Sequence, residues 1–172
     1  MPQDSSPRPT NIVLVGTLVA TAAAVADVIR RGALEPHETG VFLLLFTLLF
    51  VIRVVGQVVV LRRAPAWLPP MEKWNLVPYH ILLPSQVAIL AFMSAVIFGF
   101  LHRLPLVVTR HVLFGRLLIY AALLYAVVMA VRYVVRMARQ PAERWFGGAI
   151  PIVFHMVLAS FLFAWGRYHV AR

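Results

Sequence analysis

Five long apolar runs, separated by polar connections, constrain the fold of this chain more than any other feature. A helix needs about 20 residues to cross about 30 Å of hydrocarbon. Strands of a lipid-facing barrel would instead alternate over about 10 residues, and unbroken runs such as VFLLLFTLLF do not alternate. The sequence therefore predicts an all-α integral membrane protein, a bundle of five transmembrane helices. The predicted spans are 11–29, 41–61, 81–101, 113–131 and 149–166, the fourth with an amphipathic extension toward Arg139.

Composition supports the same class of protein. Hydrophobic residues make up 62% of the 172 residues and charged residues only 13%, with a mean hydropathy of +0.86. Soluble domains carry about 25% charged residues, so this chain has too few to cover a water-facing surface. Disorder is excluded because disordered chains combine low hydrophobicity with high net charge. We predict a short polar tail over residues 1–10 and a single transmembrane helical bundle over residues 11–172.

The first run has an alternative interpretation as a signal peptide. Ala24 and Ala26 form an A-x-A pattern before Asp27, where a signal peptidase could cut. The tail before the run carries Arg8 together with an acid, which is a poor positive n-region, and Arg30 follows the run closely. We therefore predict a retained span, with cleavage after Ala26 as the alternative.

The net charge of +10 would suggest nucleic acid in a soluble protein. Here most basic residues stand at the ends of apolar runs, where they meet lipid phosphates, so the expected partner is the lipid bilayer and no nucleic acid. Other membrane subunits or a second copy are further expected partners. The chain has no cysteine, which excludes disulfides and thiolate chemistry. We expect a multi-pass protein of a bacterial-type inner membrane or a plasma membrane.

Five spans place the N-terminal tail, residues 62–80 and residues 132–147 on one face, which we call side A; the other face is side B. The four prolines and the aromatic residues of 62–80 predict a segment lying along the membrane surface. The short connections 102–112 and 140–148 predict that the helices they join are adjacent and antiparallel. Basic residues barely distinguish the faces, although their denser clusters favour side A as cytoplasmic. Side A has Arg8, Arg62, Arg63, Lys73, Arg132, Arg136, Arg139 and Arg144, and side B has Arg30, Arg31, Arg103, Arg110, Arg116, Arg167 and Arg172.

Small residues recur at helical spacing in three runs and predict which faces meet, since helices in lipid associate through small residues. The predicted contact stripes are Gly16, Ala20, Ala23 and Asp27 in the first run, Ala88, Ala91, Ala95 and Gly99 in the third, and Ala122, Ala126 and Ala130 in the fourth.

Polar residues at membrane depth are the strongest indication of function, because each costs free energy unless it is paired or functional. Arg53 lies about 12 Å from the side A end of its helix at 1.5 Å per residue. Polar residues of three other helices lie about 6–10 Å deep from the same side. The predicted ligand-binding candidates are Arg53, Gln57, Ser85, Gln86, Tyr125 and His155.

Each candidate also has a structural interpretation without a ligand. Arg53 could extend toward headgroups, with Gln57 following it. The Ser85 hydroxyl could bond back to a carbonyl of its own helix. His155 could be a core histidine that donates to a carbonyl near Pro151.

The remaining histidines lie in connections or at helix ends, where solvated side chains are expected: His37, His102, His111 and His169. His80 and His155 are weak candidates as haem b ligands, because a bis-His haem needs two rings at one depth and His80 is about 9 Å too shallow. No HExxH, P-loop, GxGxxG or GxSxG motif occurs, and no metal site is predicted. Asp27 is expected to pair with Arg30 or Arg31.

These observations predict a small polytopic membrane protein with a polar intramembrane pocket, and no enzyme activity of its own. A quinone or a lipid headgroup suits such a pocket as part of a membrane redox complex, with Phe46, Phe50 and Phe92 as its apolar wall. Two alternatives remain open at this point. One is a proton or small-solute transporter, and the other is a structural subunit or assembly factor without a ligand.

Overall fold

The computed structural model describes residues 9–63, 79–139 and 149–171, and in these ranges its secondary structure is entirely helical. Five helices are long and apolar enough to cross a membrane, which confirms the predicted fold class. Residues 1–8 of the predicted tail and most of the surface-lying segment, with Trp67 and Trp74, lie outside the described residues, whereas residues 9 and 10 of the predicted tail belong to the first helix. The helices are α1 (Pro9–Arg31), α2 (Pro36–Arg63), α3 (Tyr79–Leu101), the short α4 (Pro105–Val108), α5 (Val112–Arg139) and α6 (Ala149–Val170).

Helix α6 is the centre of the bundle. Fourteen of its 22 residues are buried, and it packs against α5, α2 and α1. Its aromatic side chains fill the interior: Phe161 is 2% exposed and Tyr168 is 3% exposed. The other helices are therefore arranged around α6, which fixes the side chains that can meet at its surface.

Helix α5 lies at the periphery and packs mainly against α6. The short connection 140–148 correctly predicted this pair. The connection 102–112 did not bring α3 against α5 in the same way, because within the described residues α3 packs mainly against α2 and α4. The turn of α4 redirects the chain between α3 and α5, so a short connection here does not produce an extensive interface.

Two glycines allow α5 and α6 to approach closely on side B. A Cβ atom on Gly115 would lie 2.6 Å from the Cβ of His169 and 2.8 Å from the carbonyl oxygen of Gly166. A Cβ atom on Gly166 would lie 2.8 Å from the carbonyl oxygen of Gly115. Neither glycine belongs to the predicted contact stripes, although small residues at a close helix crossing are typical of membrane bundles.

The predicted stripes were wrong for α1 and largely wrong for α3. Helix α1 buries Leu14, Thr17, Thr21, Ala24 and Val28, while Gly16 and Ala23 are exposed. Helix α3 buries Gln86, Met93, Val96, Ile97, Gly99 and Phe100, while Ala88, Ala91 and Ala95 are exposed. Small residues permit close contact between helices but do not by themselves decide which face of a helix is buried. In α5 the prediction was partly right, with Ala122 buried.

Hydrogen bonds between loops and helix ends hold side B together. The guanidinium of Arg110 donates to the carbonyl oxygens of Ala171 (2.6 Å) and Leu34 (3.2 Å), and its Cζ lies 4.9 Å from the centroid of the Tyr168 ring. The Tyr168 hydroxyl donates to the carbonyl oxygen of Val108 at 2.8 Å. These contacts join the α1–α2 turn, the α3–α5 connection and the end of α6 into one structure.

Two apolar cavities lie where α1 and α5 both flank α6. The cavity nearer side A has a volume of about 410 Å³ and the cavity nearer side B about 240 Å³, and Met156 lines both. None of the six candidate ligand-binding residues lines either cavity. The six polar candidates therefore lie outside these two cavities.

Candidate functional site

Arg53 is held inside the bundle on α2. Its side chain is 5% exposed, and its Cζ lies 6.0 Å from the ring centroid of Phe50 and 5.8 Å from that of Phe154. Its Nε is buried and has no hydrogen-bond partner among the described residues. The side chain is thus packed inside the bundle and not on its outer surface.

No carboxylate of the described residues forms an ion pair with Arg53. Asp27 pairs with Arg30 (2.6 Å) and Arg31 (2.8 Å), as predicted, and Glu38 also pairs with Arg31 at 3.2 Å. Aromatic rings are the described neighbours of the Arg53 charge, and cation–π attraction is weak at about 6 Å. Arg53 is therefore a buried cation with little compensation from this part of the chain.

Helices α2 and α3 pack against each other, and each carries one buried glutamine side chain. Gln57 is 0% exposed and Gln86 is 2% exposed. The Nε2 of Gln86 is buried without a hydrogen-bond partner among the described residues. An amide nitrogen of this kind is a donor that lacks an acceptor oxygen.

Tyr125 and His155 form an edge-to-face pair between α5 and α6, with ring centroids 5.7 Å apart. The Nδ1–H of His155 donates to the carbonyl oxygen of Pro151. In the neutral ring this leaves Nε2 as an acceptor. Both rings are half-buried, and both interact electrostatically with the Arg53 charge.

Several buried hydroxyl groups elsewhere in the bundle are satisfied within their own helices. Thr21 donates to the carbonyl oxygen of Thr17 (2.7 Å), Thr47 to that of Leu43 (2.8 Å) and Ser160 to that of Met156 (2.9 Å). Such bonds within one helix satisfy polar groups in lipid. The Nε of Arg53 and the Nε2 of Gln86 have no such partner in the described part of the chain.

Three expected contributors lie apart from this cluster. Ser85 is exposed, and its hydroxyl donates to the carbonyl oxygen of Leu82 at 2.7 Å, which is the intrahelical alternative. Phe46 is 0% exposed and belongs to the core, so a ligand cannot use it as a wall without repacking. Phe92 lies next to Trp165, with ring centroids 5.9 Å apart.

The haem hypothesis gains no support from the positions of its two histidines. His80 is exposed at the start of α3, whereas His155 is bonded to Pro151. Over the described residues, no group of three or more His, Cys, Asp or Glu side chains could hold a metal ion.

A second polar cluster, on side B, was missed by the sequence interpretation. His169 is 3% exposed, so its predicted solvated position was wrong. Its Nδ1 accepts the backbone N–H of His111 at 3.3 Å, and its Nε2 is buried without a described partner, as is the Nε1 of Trp165. The i, i+4 spacing of Trp165 and His169 could have revealed this, because it places both residues on the same face of α6.

Comparison with known protein families, with characterised proteins and with solved structures finds no match to this chain.

Arg53, Tyr125 and His155 come from α2, α5 and α6 and interact with one another, and the buried Gln86 lies on α3, which packs against α2. Arg53 and the Gln86 amide provide hydrogen-bond donors, and Tyr125 and His155 provide groups that donate or accept. Groups of this kind can orient an oxygen-bearing group in a site of low dielectric constant, where each hydrogen bond is stronger than in water.

Proposed function

We propose that this polytopic membrane protein binds an amphipathic ligand within the bilayer, a quinone or a lipid. The ligand's polar group would meet Arg53, Gln86, Tyr125 and His155, and its tail would lie along apolar helix surfaces. Ser85, which is exposed, would have at most a peripheral role. With a quinone as ligand, the protein would serve as a binding subunit of a membrane redox complex.

The observation that carries this proposal is the pair of unpartnered donors, the Nε of Arg53 and the Nε2 of Gln86. Leaving a buried donor without an acceptor costs about 1–3 kcal/mol, and more for a charged group. An intramembrane charged residue is therefore a functional-site hypothesis by default. Ligand oxygens that accept from these groups would recover this cost on binding.

His155 would add proton chemistry if the ligand is a quinone. Its Nε2 is free to accept while Nδ1–H is held by Pro151. Histidine is the side chain whose charge ordinarily changes between pH 5 and 8. The ring could therefore exchange a proton with a reduced quinone beside Tyr125.

The test is to purify the full chain in a mild detergent and identify what co-purifies, by mass spectrometry of the extract and by its absorption spectrum. We expect a stoichiometric quinone or lipid with the natural sequence, and its loss from Arg53→Met and from Gln86→Leu. Arg116→Met is the matched control, because Arg116 is exposed on α5 and should retain the ligand.

Equal ligand content in all four proteins, or none in any of them, would contradict the proposal and favour a structural subunit. The transporter alternative predicts broken helices. Helix α3 continues through Pro84 from Tyr79 to Leu101, so this observation does not favour it.

A further inference from the structure

We infer that the polar group recognised at Arg53 carries a negative charge, as a carboxylate or a phosphate does, and is not a neutral quinone carbonyl. This inference rests on the proposed function and specifies the class of ligand.

The first argument is the balance of charge. A buried ionised group is costly unless it is paired. The described acids are Asp27, Glu35 and Glu38; Asp27 and Glu38 are paired with Arg30 and Arg31, and none of the three forms an ion pair with Arg53. The rings of Phe50 and Phe154 lie at the limit of cation–π range. Among the described residues no carboxylate supplies the counter-charge, and we assign that role to the ligand.

The second argument is the balance of donors and acceptors. A guanidinium has only donors, and the unpartnered atom of Gln86 is also a donor. An anionic group offers two or three acceptor oxygens, and hydrogen bonds between ions are about twice as strong as neutral ones. A quinone carbonyl would accept one or two of these bonds but leave the Arg53 charge uncompensated.

The third argument concerns geometry. The Arg53 side chain is 5% exposed, and its Cζ lies 6.0 Å from the ring centroid of Phe50 and 5.8 Å from that of Phe154. In this low-dielectric setting the attraction between unlike charges is much stronger than at the surface. Discrimination between a charged and a neutral ligand should therefore be large.

The experiment compares three probes that carry the same C18:1 chain with a short-chain ubiquinone. The full chain is delipidated, placed in nanodiscs of zwitterionic lipid and titrated with oleate, oleoyl lysophosphatidate, oleyl alcohol and a short-chain ubiquinone. We expect one of the two anionic probes to bind at least about tenfold more tightly than the alcohol and the quinone, which corresponds to about 1.4 kcal/mol. The comparison of oleate with lysophosphatidate distinguishes a carboxylate site from a phosphate site.

Variants distinguish probe binding at Arg53 from general electrostatic attraction of anionic probes to the protein. Arg53→Met should abolish the anionic preference, Arg53→Lys should retain part of it, and Arg116→Met should behave like the natural sequence. If Arg53→Met does not fold, Arg53→Gln replaces it.

Two results would overturn the inference. If quinone or alcohol binds as tightly as the anionic probes and depends on Arg53 and Gln86, the ligand is neutral and the proposed function survives. If no probe binds at all, the proposed function fails together with the inference.

Discussion

At the scale of single residues, Arg53 is expected to lower the free energy of unfolding of the ligand-free protein. An Arg near the middle of a span costs about 2.5–3.5 kcal/mol on insertion scales, and this side chain has no described ion pair. We therefore predict that Arg53→Met raises the melting temperature of ligand-free protein in detergent. Thermal unfolding followed by circular dichroism provides the measurement, with Arg116→Met as a control that should change the free energy of unfolding by less than about 0.5 kcal/mol. A marked fall with Arg53→Met would show that the cation stabilises the fold.

His155 allows binding to be separated from packing. His155→Phe retains the edge-to-face contact with Tyr125 but removes the bond to Pro151 and the acceptor at Nε2. Loss of one hydrogen bond costs about 1 kcal/mol, so we predict a small drop in melting temperature and a large loss of bound ligand. Both quantities should be measured on the same purified sample. Unchanged ligand content with a lowered melting temperature would assign His155 a purely structural role.

The sequence identified Arg53 and Gln86 as buried polar groups because charge and hydropathy place them at depth without reference to the fold. It could not separate Ser85 from them, since the outward direction of that hydroxyl depends on how α3 is rotated against α2. It missed His169 because α6 continues to Val170, four residues past the predicted end, and the close crossing at Gly115 covers the ring.

At the scale of helices, the crossing of α5 over α6 depends on two missing side chains. Gly115→Ala would bring a methyl group to 2.6 Å from the Cβ of His169, which neither helix can accommodate without moving. Overpacking typically costs about 1–3 kcal/mol, so we predict destabilisation of this size, measured by chemical unfolding in mixed micelles.

Gly16→Ala is the matched control for this prediction. A Cβ atom there has no heavy atom within 4 Å, and Ala is favoured over Gly in a helix by about 0.8–1 kcal/mol. The control should be neutral or stabilising. Equal effects at Gly16 and Gly115 would show that helix propensity, and not the crossing, governs stability.

The helices themselves followed well from the sequence, because the length of an apolar run is set by the thickness of the bilayer. Their bounds moved outward by a few residues, as for α2, which covers Pro36–Arg63 where 41–61 was expected. The rotation of each helix about its own axis, which decides the buried face, could not be predicted from the sequence. The exposed Ala88 and Ala91 of α3 show that small residues permit contact but do not specify it, whereas the bulky α6 side chains decide which face is drawn in.

At the scale of the whole molecule, five spans place successive connections on alternate sides of the membrane. The chain has no cysteine, so a single introduced cysteine is the only thiol of the chain that a maleimide can label. We predict that His37→Cys and Leu106→Cys react together with a membrane-impermeant maleimide on intact cells or on inverted vesicles, and that Arg63→Cys and Arg139→Cys react in the opposite preparation. Labelling of positions 37 and 63 from the same side would contradict the arrangement of α2.

The central position of α6 also has a consequence for biosynthesis. The ribosome completes α6 after α1, α2, α3 and α5, yet three of these helices pack against it. Arg53 therefore leaves the translocon before Phe154, one of the rings that enclose it, has been synthesised. Until then the guanidinium must be shielded by lipid, water or an insertion factor, so the nascent bundle is most vulnerable to quality-control proteases in the interval before its sixth helix arrives.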